Sequence, residues 1–192
     1  CALPISGDAV ASTLNVGGNL TAGATTLTPG AGSAIITLNG SSAQSVTAII
    51  NGNDDNKGIL NASNTSGGVT FNSAIGTTKT LSAINVTTGT ATFDGAIGAV
   101  ASTITGTATF GAATAIPTVT IAAAGTTTLT GVLTATTEAA INGILNIDVK
   151  NQAITEINLN NGGTLVVGKA IVNGNTINTG ATQTKAGFNS GG

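Results

Sequence analysis

The sequence lacks several side chains on which most enzymes and nucleic-acid-binding proteins depend. Its 192 residues include no histidine, arginine, tryptophan, tyrosine or methionine, and its single cysteine is Cys1. Without histidine, the usual catalytic bases, nucleophile pairs and zinc ligand sets are missing. Without arginine, and with a net charge of −2, the chain offers no basic surface to nucleic acid. We therefore expect a protein that is not an enzyme, needs no metal or cofactor, and does not bind nucleic acid.

Charged and aromatic side chains are also scarce. Five lysines and seven acidic residues make up 6% of the chain, and aromatic residues make up 2%, whereas charged residues are about 25% of an average globular domain. The mean hydropathy is +0.38, and disorder requires the opposite combination of low hydrophobicity and high net charge. We expect a folded chain with a thin core of small aliphatic side chains. No apolar run is long enough to predict a transmembrane helix.

What the sequence does contain is a short repeat. The copies are Gly68–Phe71, Gly89–Phe93, Gly106–Phe110 and Gly125–Leu129, with looser copies at Gly143–Ile147 and Gly163–Val167. They begin at positions 68, 89, 106, 125, 143 and 163, so the steps between them are 21, 17, 19, 18 and 20. A second strand-like segment precedes several copies, at Leu81–Val86, Thr118–Ile121 and Ala153–Leu159. Threonine and β-branched residues dominate these segments, which favours strands over helices.

A period of about 19 residues with two or three short strands is typical of one coil of a β-solenoid, in which each coil pairs with its neighbours. The alternative, a β-sandwich, has a strand roughly every 8–12 residues and no long-range self-similarity. We predict a single-domain, all-β fold, a β-solenoid (β-helix) of roughly ten coils of about 19 residues. It spans residues 21–180, between an anchor or assembly segment at 1–20 and a flexible tail at 181–192.

Alternation within the repeat predicts one buried and one wet face. The predicted inward residues are Ala91, Phe93, Ala108, Phe110, Val119, Ile121 and Leu129. The predicted outward threonine arrays are Thr90 and Thr92, Thr107 and Thr109, and Thr126 and Thr128. Such arrays are typical of ice-binding solenoids, but threonine also has high β-propensity and forms cross-strand ladders. Asn-Gly steps at Asn39, Asn51, Asn142, Asn161 and Asn173 favour turns with positive φ.

The few charged residues form no clear motif. The polar segment 51–58 is predicted to protrude as a loop, and Asp54 and Asp55 in it match neither an EF-hand nor a repeat-type calcium coil. Two carboxylates could also serve glycoside hydrolysis. The candidates Asp94, Glu138, Asp148 and Glu156 belong to different coils, so isolated, solvated charges are the preferred interpretation. The same interpretation applies to Lys57, Lys79, Lys150, Lys169 and Lys185.

Segments such as Ile84–Phe93 and Asn51–Gly58 resemble the β-helical passenger repeats of bacterial autotransporter adhesins, including rickettsial-type surface antigens. The resemblance covers roughly residues 50–170 and implies surface exposure, with a role in adhesion or in a coat, but it transfers no functional residue. The N-terminal Cys1-Ala2-Leu3 is similar to a mature bacterial lipoprotein, whose cysteine carries a lipid that tethers it to the membrane. A disulfide to another molecule, or an arbitrary boundary of the sequence, is the alternative for Cys1.

The ends of a solenoid expose unpaired backbone groups and a cross-section of the core. Residues 9–24 and 95–137 carry no charge, which suits contact with other subunits better than free solubility. We therefore expect a structural protein of the bacterial cell surface that assembles head to tail into an extracellular filament or coat. An adhesin fragment that binds a host or surface receptor is the first alternative, and an ice-binding solenoid is the second.

Overall fold

A computed structural model describes residues 2–7, 10–148, 153–160, 162–167 and 176–179 of the chain. These residues form 22 short strands and no helix. The strands of the first half are β1 (Ala2–Gly7), β2 (Ser12–Val16), β3 (Ala24–Pro29), β4 (Ala34–Leu38), β5 (Gln44–Val46), β6 (Ile49–Gly52), β7 (Ile59–Ala62), β8 (Val69–Phe71), β9 (Leu81–Val86), β10 (Thr90–Phe93) and β11 (Ile97–Ile104). Those of the second half are β12 (Thr107–Phe110), β13 (Thr114–Ala115), β14 (Thr118–Ile121), β15 (Thr126–Leu129), β16 (Leu133–Ala135), β17 (Glu138–Ile141), β18 (Ile144–Ile147), β19 (Ala153–Ile154), β20 (Glu156–Leu159), β21 (Thr164–Val167) and β22 (Thr176–Thr179).

The strands lie on three faces, and each coil of the chain visits the faces in turn. Face A comprises β1, β3, β6, the first residues of β11, and then β13, β16 and β19, with bridges at Ile75 linking β6 to β11. Face B comprises β2, β4, β7, β9, the last residues of β11, β14, β17, β20 and β22. Face C comprises β5, β8, β10, β12, β15, β18 and β21. Every pairing among these strands is parallel. The fold is therefore a β-solenoid, as the repeat predicts, and the structure shows that it has three sides.

The coils are fewer and less uniform than the sequence period indicates. Face C has seven strands and one further bridge, at Leu20, which gives about eight coils rather than ten. The residues aligned on this face, Leu20, Val46, Phe71, Phe93, Phe110, Leu129 and Ile147, are 26, 25, 22, 17, 19 and 18 apart. The first coils are therefore longer than the period of 19, because they carry longer corner loops, and this lowers the coil count.

The inward residues predicted from alternation are confirmed, because all seven are buried. Phe93 lies at the centre of this core. Its ring stacks on Phe71 at 4.7 Å between centroids and on Phe110 at 5.0 Å, with interplanar angles of 3° and 9°. The spacing matches that of neighbouring strands, about 4.8 Å, so in-register pairing of the repeat forces identical side chains to stack. Each ring therefore fills the core and aligns its neighbours.

The turns differ from the prediction at three of the Asn-Gly steps. Positive φ is found at Asn56 and at five glycines, Gly58, Gly68, Gly76, Gly89 and Gly162. The prediction is confirmed at the step after Asn161, where Gly162 has a φ of 87°. Asn173 lies outside the described residues. The prediction is wrong at Asn39, Asn51 and Asn142, whose steps adopt no positive φ. Gly40, Gly52 and Gly143 instead donate their N–H groups, to Gln44 Oε1, Lys79 O and Ile121 O respectively. These corners are therefore held by bonds to another part of the coil or to a neighbouring coil.

Two buried amides hold together the corner between faces B and C in the first three coils. Gln44 donates from Nε2 to Val16 O and Gly18 O, each at 2.7 Å. Its Oε1 accepts from Asn64 Nδ2 at 3.0 Å. Asn64 also donates to Ser42 O at 2.6 Å, and its Oδ1 accepts from the N–H groups of the turn at 66–67. Every polar atom of the two side chains is bonded, which allows both to be buried.

Candidate functional site

The outward side of face C carries two parallel rows of side chains. In each row, successive residues lie on neighbouring strands. Row one is Thr90, Thr107, Thr126, Ile144 and Thr164, in the pairing order of the strands. Row two is Ser45, Thr70, Thr92, Thr109, Thr128, Asn146 and Val166. Neighbours within a row are about 4.8 Å apart, and the rows are separated by two positions along the strand, or about 6.6 Å.

The six threonines of the predicted arrays thus lie together on one flat surface. Thr90 and Thr107 are exposed, and the other four are half-buried between their neighbours in the rows. The regular threonine pattern extends over three coils only, since Ile144 and Asn146 occupy the equivalent positions on β18. Asn146 donates from Nδ2 to Thr128 Oγ1 at 3.4 Å, which continues the polar contacts of row two. Sequence alternation located this face but gave no reason to expect its apolar end.

Face C also carries two of the exposed large apolar side chains. Ile144 is 40% exposed and Val166 is 45% exposed, on neighbouring strands β18 and β21. The others in the described part of the chain are Val10, Ile49 and Val100. Of these, Ile49 lies on face A at 40% exposure, and Val100 lies where β11 passes from face A to face B. Among the described residues, face C is therefore the face on which two exposed large apolar side chains lie on neighbouring strands.

No other described strand covers the outer edge of the first described coil. In β2, Leu14 and Val16 align with Ile36 and Leu38 of the next coil, which are fully buried. Leu14 and Val16 are nevertheless only partly buried, although they point toward the core and Val16 packs against it. Among the described residues, β1 pairs only with β3 and β2 only with β4, so each has a free outer edge. This end of the solenoid presents unpaired backbone groups around an apolar cross-section.

The polar segment 51–58 does not protrude alone, because it packs against the corner loop of the next coil. Lys79 of that loop forms ion pairs with Asp54 and Asp55, each at 3.2 Å. Thr80 N–H donates to Asp55 Oδ1 at 3.2 Å, and Asn56 N–H donates to Thr80 Oγ1 at 3.0 Å. A lysine ammonium therefore occupies the carboxylates that a calcium loop would need, and Asp54 and Asp55 form a link between coils.

This link perturbs the titration of its members. The N–H of Asp55 and then Lys79 lower the pKa of Asp54, while the N–H of Thr80 and then Lys79 lower the pKa of Asp55. Hydrogen bonds to the two carboxylates raise the pKa of Lys79. The carboxylates therefore stabilise the folded state above their ordinary pKa, and this stabilisation is lost as the pH falls through their lowered folded-state pKa. Lys79 stabilises the folded state below its ordinary pKa, and this stabilisation is lost as the pH rises through its raised folded-state pKa.

Replacing Lys79 by glutamine should raise the pKa of both Asp54 and Asp55 toward the ordinary value, without reaching it, because the backbone N–H donors remain. Carboxyl titration by NMR measures this directly. Lys57→Gln is the control, since Lys57 is the weakest of the influences on Asp54 and should move its pKa much less. Equal shifts in the two variants would show that Lys79 is not the specific partner.

Of the four carboxylates considered for glycoside chemistry, the structure brings two together. Glu138 and Glu156 precede the paired residues Ala139 and Ile157, so they lie side by side on neighbouring strands of face B. Asn158 Nδ2 donates to Glu138 Oε2 at 3.1 Å. The two glutamates are one coil length apart in the chain, and that spacing was the available signal in the sequence. Both are half-buried on an outward sheet surface, whereas Asp94 is exposed at the end of β10.

A cleft of about 200 Å³ lies at the corner between faces A and B, lined by residues 29–33, 56–58 and Ser82. Lys57 is its charged side chain. Among the described residues there is no group of three or more histidine, cysteine, aspartate or glutamate side chains that could hold a metal. Cys1, the tail at 181–192, and three of the lysines (Lys150, Lys169 and Lys185) lie outside the described residues.

No protein-family model, curated protein or solved structure matches this chain. In the part that the structure describes, no helix has the length and hydropathy to span a bilayer. The class of the protein is therefore defined by its own strand pairing. The described residues form a three-sided parallel β-solenoid with a threonine-rich face.

Proposed function

We propose that this chain is a non-catalytic structural protein of the bacterial cell surface, which assembles head to tail into an extracellular filament or coat. The observation that carries the proposal is the incomplete burial of Leu14 and Val16 beside fully buried Ile36 and Leu38. A coil that continued the solenoid would bury both side chains and pair the free edges of β1 and β2. Another copy of the chain supplies such a coil.

The geometry of the edges supports this partner. Every described pairing in the chain is parallel, so each coil stacks on the next by one repeated step. Two copies joined by the same step continue all three faces without reversing any strand. Such a contact is heterologous and does not close on itself, so it grows into a fibre. The absence of charge between residues 95 and 137 supports an assembled rather than a freely dispersed form.

The binding of a receptor or of ice is the alternative role for the same rod. Both alternatives would use its side faces and would leave the ends free. End-to-end growth therefore separates the structural role from them.

The test places a charge on the open end. Leu14→Asp should leave monomers where the unchanged chain forms polymers, because the carboxylate would be buried without a partner at the joint. Leu14 is only partly buried in the single molecule, so the variant should still fold. Sedimentation velocity and electron microscopy measure polymer length, and circular dichroism monitors the fold.

Thr13→Asp is the matched control. Thr13 is the neighbouring residue on β2, and its side chain is exposed and points away from the core. This variant should polymerise as the unchanged chain does. Polymers of Leu14→Asp equal to those of Thr13→Asp, or an unchanged chain that stays monomeric at high concentration, would contradict the proposal.

A further inference from the structure

We infer that the outward side of face C is a lateral contact surface, and that its partner is face C of a second copy in a parallel rod. The inference rests on the proposed function, because it concerns how filaments pair once they have formed. The surface is the two rows of side chains from β5 to β21, with Ile144 and Val166 at one end.

The charge pattern favours a copy of the same surface over a charged partner. Rows one and two carry no charged side chain between Ser45 and Val166. The nearest acidic residues, Asp94 and Asp148, follow β10 and β18 and therefore lie along a single edge of the face. A two-fold axis along the rod places these edges on opposite sides of the contact, so the carboxylates of the two copies stay apart. Threonine methyl groups and hydroxyls can then pack against their equivalents.

The apolar end of the face selects the parallel orientation. If the two rods ran antiparallel with the faces in full overlap, β21 and β18 would face β5 and β8 of the partner, whose outward residues in row two are Ser45 and Thr70. In parallel rods related by the same two-fold axis, row one of each copy lies opposite row two of the other. Ile144 of one copy then lies one coil from Val166 of its partner, at the same lateral position. Each exposed apolar side chain is covered by the other.

The size of the face indicates when the contact forms. Six strand spacings of about 4.8 Å, and a strand width of about 13 Å, give a footprint of about 400 Å² for each copy. Two copies bury about 800 Å², which is below the range of about 1,200 Å² and more that stable interfaces need. A head-to-tail filament repeats the face along its length, and many weak contacts then act together. Lateral pairing should therefore accompany filament growth.

The experiment measures mass per unit length, which reports lateral pairing independently of rod length. A single rod carries 18.3 kDa over eight coils, or about 38 Å at about 4.8 Å per coil, which is about 480 Da per Å. We expect the unchanged chain to show about twice this value by scanning transmission electron microscopy. Ile144→Lys should halve it, because the ammonium would face an apolar surface. Ile49→Lys is the control, since Ile49 has the same 40% exposure on face A.

The outcomes separate this inference from the proposed function. Long filaments with the mass per unit length of a single rod would support the proposed function and contradict lateral pairing. Short rods with twice that mass per unit length would support lateral pairing and contradict the proposed function. A doubled value that persists in Ile144→Lys would overturn the assignment to face C. Single rods that adsorb to ice through the threonine rows would also overturn it, and would assign the face to ice.

Discussion

Replacing Phe93 by aspartate should destroy the cooperative unfolding of the central coils. The variant loses both ring stacks and leaves a cavity, and truncation of a buried phenylalanine alone costs about 3–5 kcal/mol. It also buries a carboxylate among Ala91, Ala108 and the remaining rings, where nothing in the repeat can pair with it. We expect a loss of more than about 4 kcal/mol in the free energy of unfolding, a large fraction of the stability of most domains. Denaturant titration followed by circular dichroism measures it.

Thr90→Asp is the control for this result, because it introduces the same carboxylate on the same strand. Thr90 is exposed on the outward side of β10, so the charge stays hydrated and the stability should change little. If Phe93→Asp unfolds with the same midpoint as Thr90→Asp, Phe93 does not lie in the core in solution.

Replacing Asn64 by alanine should have the second-largest effect. The change removes the acceptor for two N–H groups of the turn at 66–67 and the donor to Gln44 and Ser42. Each buried polar group left without a partner costs about 1–3 kcal/mol, so we expect a total loss of about 3 kcal/mol. Hydrogen exchange should increase at positions 40–46 and 64–68. Denaturant titration and exchange mass spectrometry measure the two effects.

Asn61→Ala provides the comparison within the same strand region. Asn61 lies on the outward side of β7, is half-buried, and accepts one hydrogen bond, from Asn85 Nδ2 at 3.1 Å. Water can replace that bond, so the loss should be well under about 1 kcal/mol. Equal losses at the two positions would mean that the buried amide pair does not secure the corner.

The coils from residue 68 onward could be predicted because their strands repeat one template. Gly89–Phe93 and Gly106–Phe110 differ by a single coil, and their alternation places each side chain. The coils before residue 68 have no such template, since they are longer, differ in corner loops and share no sequence motif. The segment Ala153–Leu159 shows another limit. It reads as one strand, but the chain turns at Thr155 and contributes β19 to face A and β20 to face B.

The buried polar residues could not be predicted from composition or alternation. Gln44 and Asn64 are polar, and their burial depends on carbonyl groups that other coils supply. Thr127 points into the core in the column of Ala91 and Ala108, although the repeat suggests only an apolar residue there. Of the candidate surfaces, only the threonine rows could be predicted from sequence alternation. The uncovered edge of the first described coil and the link through Lys79 could be identified only from the pairing of the strands.

The hydrogen bonds at the Asn-Gly corners bear on the chemical ageing of the protein. Asparagine before glycine deamidates when the glycine nitrogen attacks the side-chain carbonyl, closes a succinimide and releases ammonia, and water then opens the ring. At Asn39, Asn51 and Asn142 that nitrogen is already committed as a donor, to Gln44, Lys79 and Ile121. The folded coil therefore slows the reaction that gives these dipeptides their short lifetime in loose loops. A material that persists outside the cell without repair would gain durability from corners built in this way.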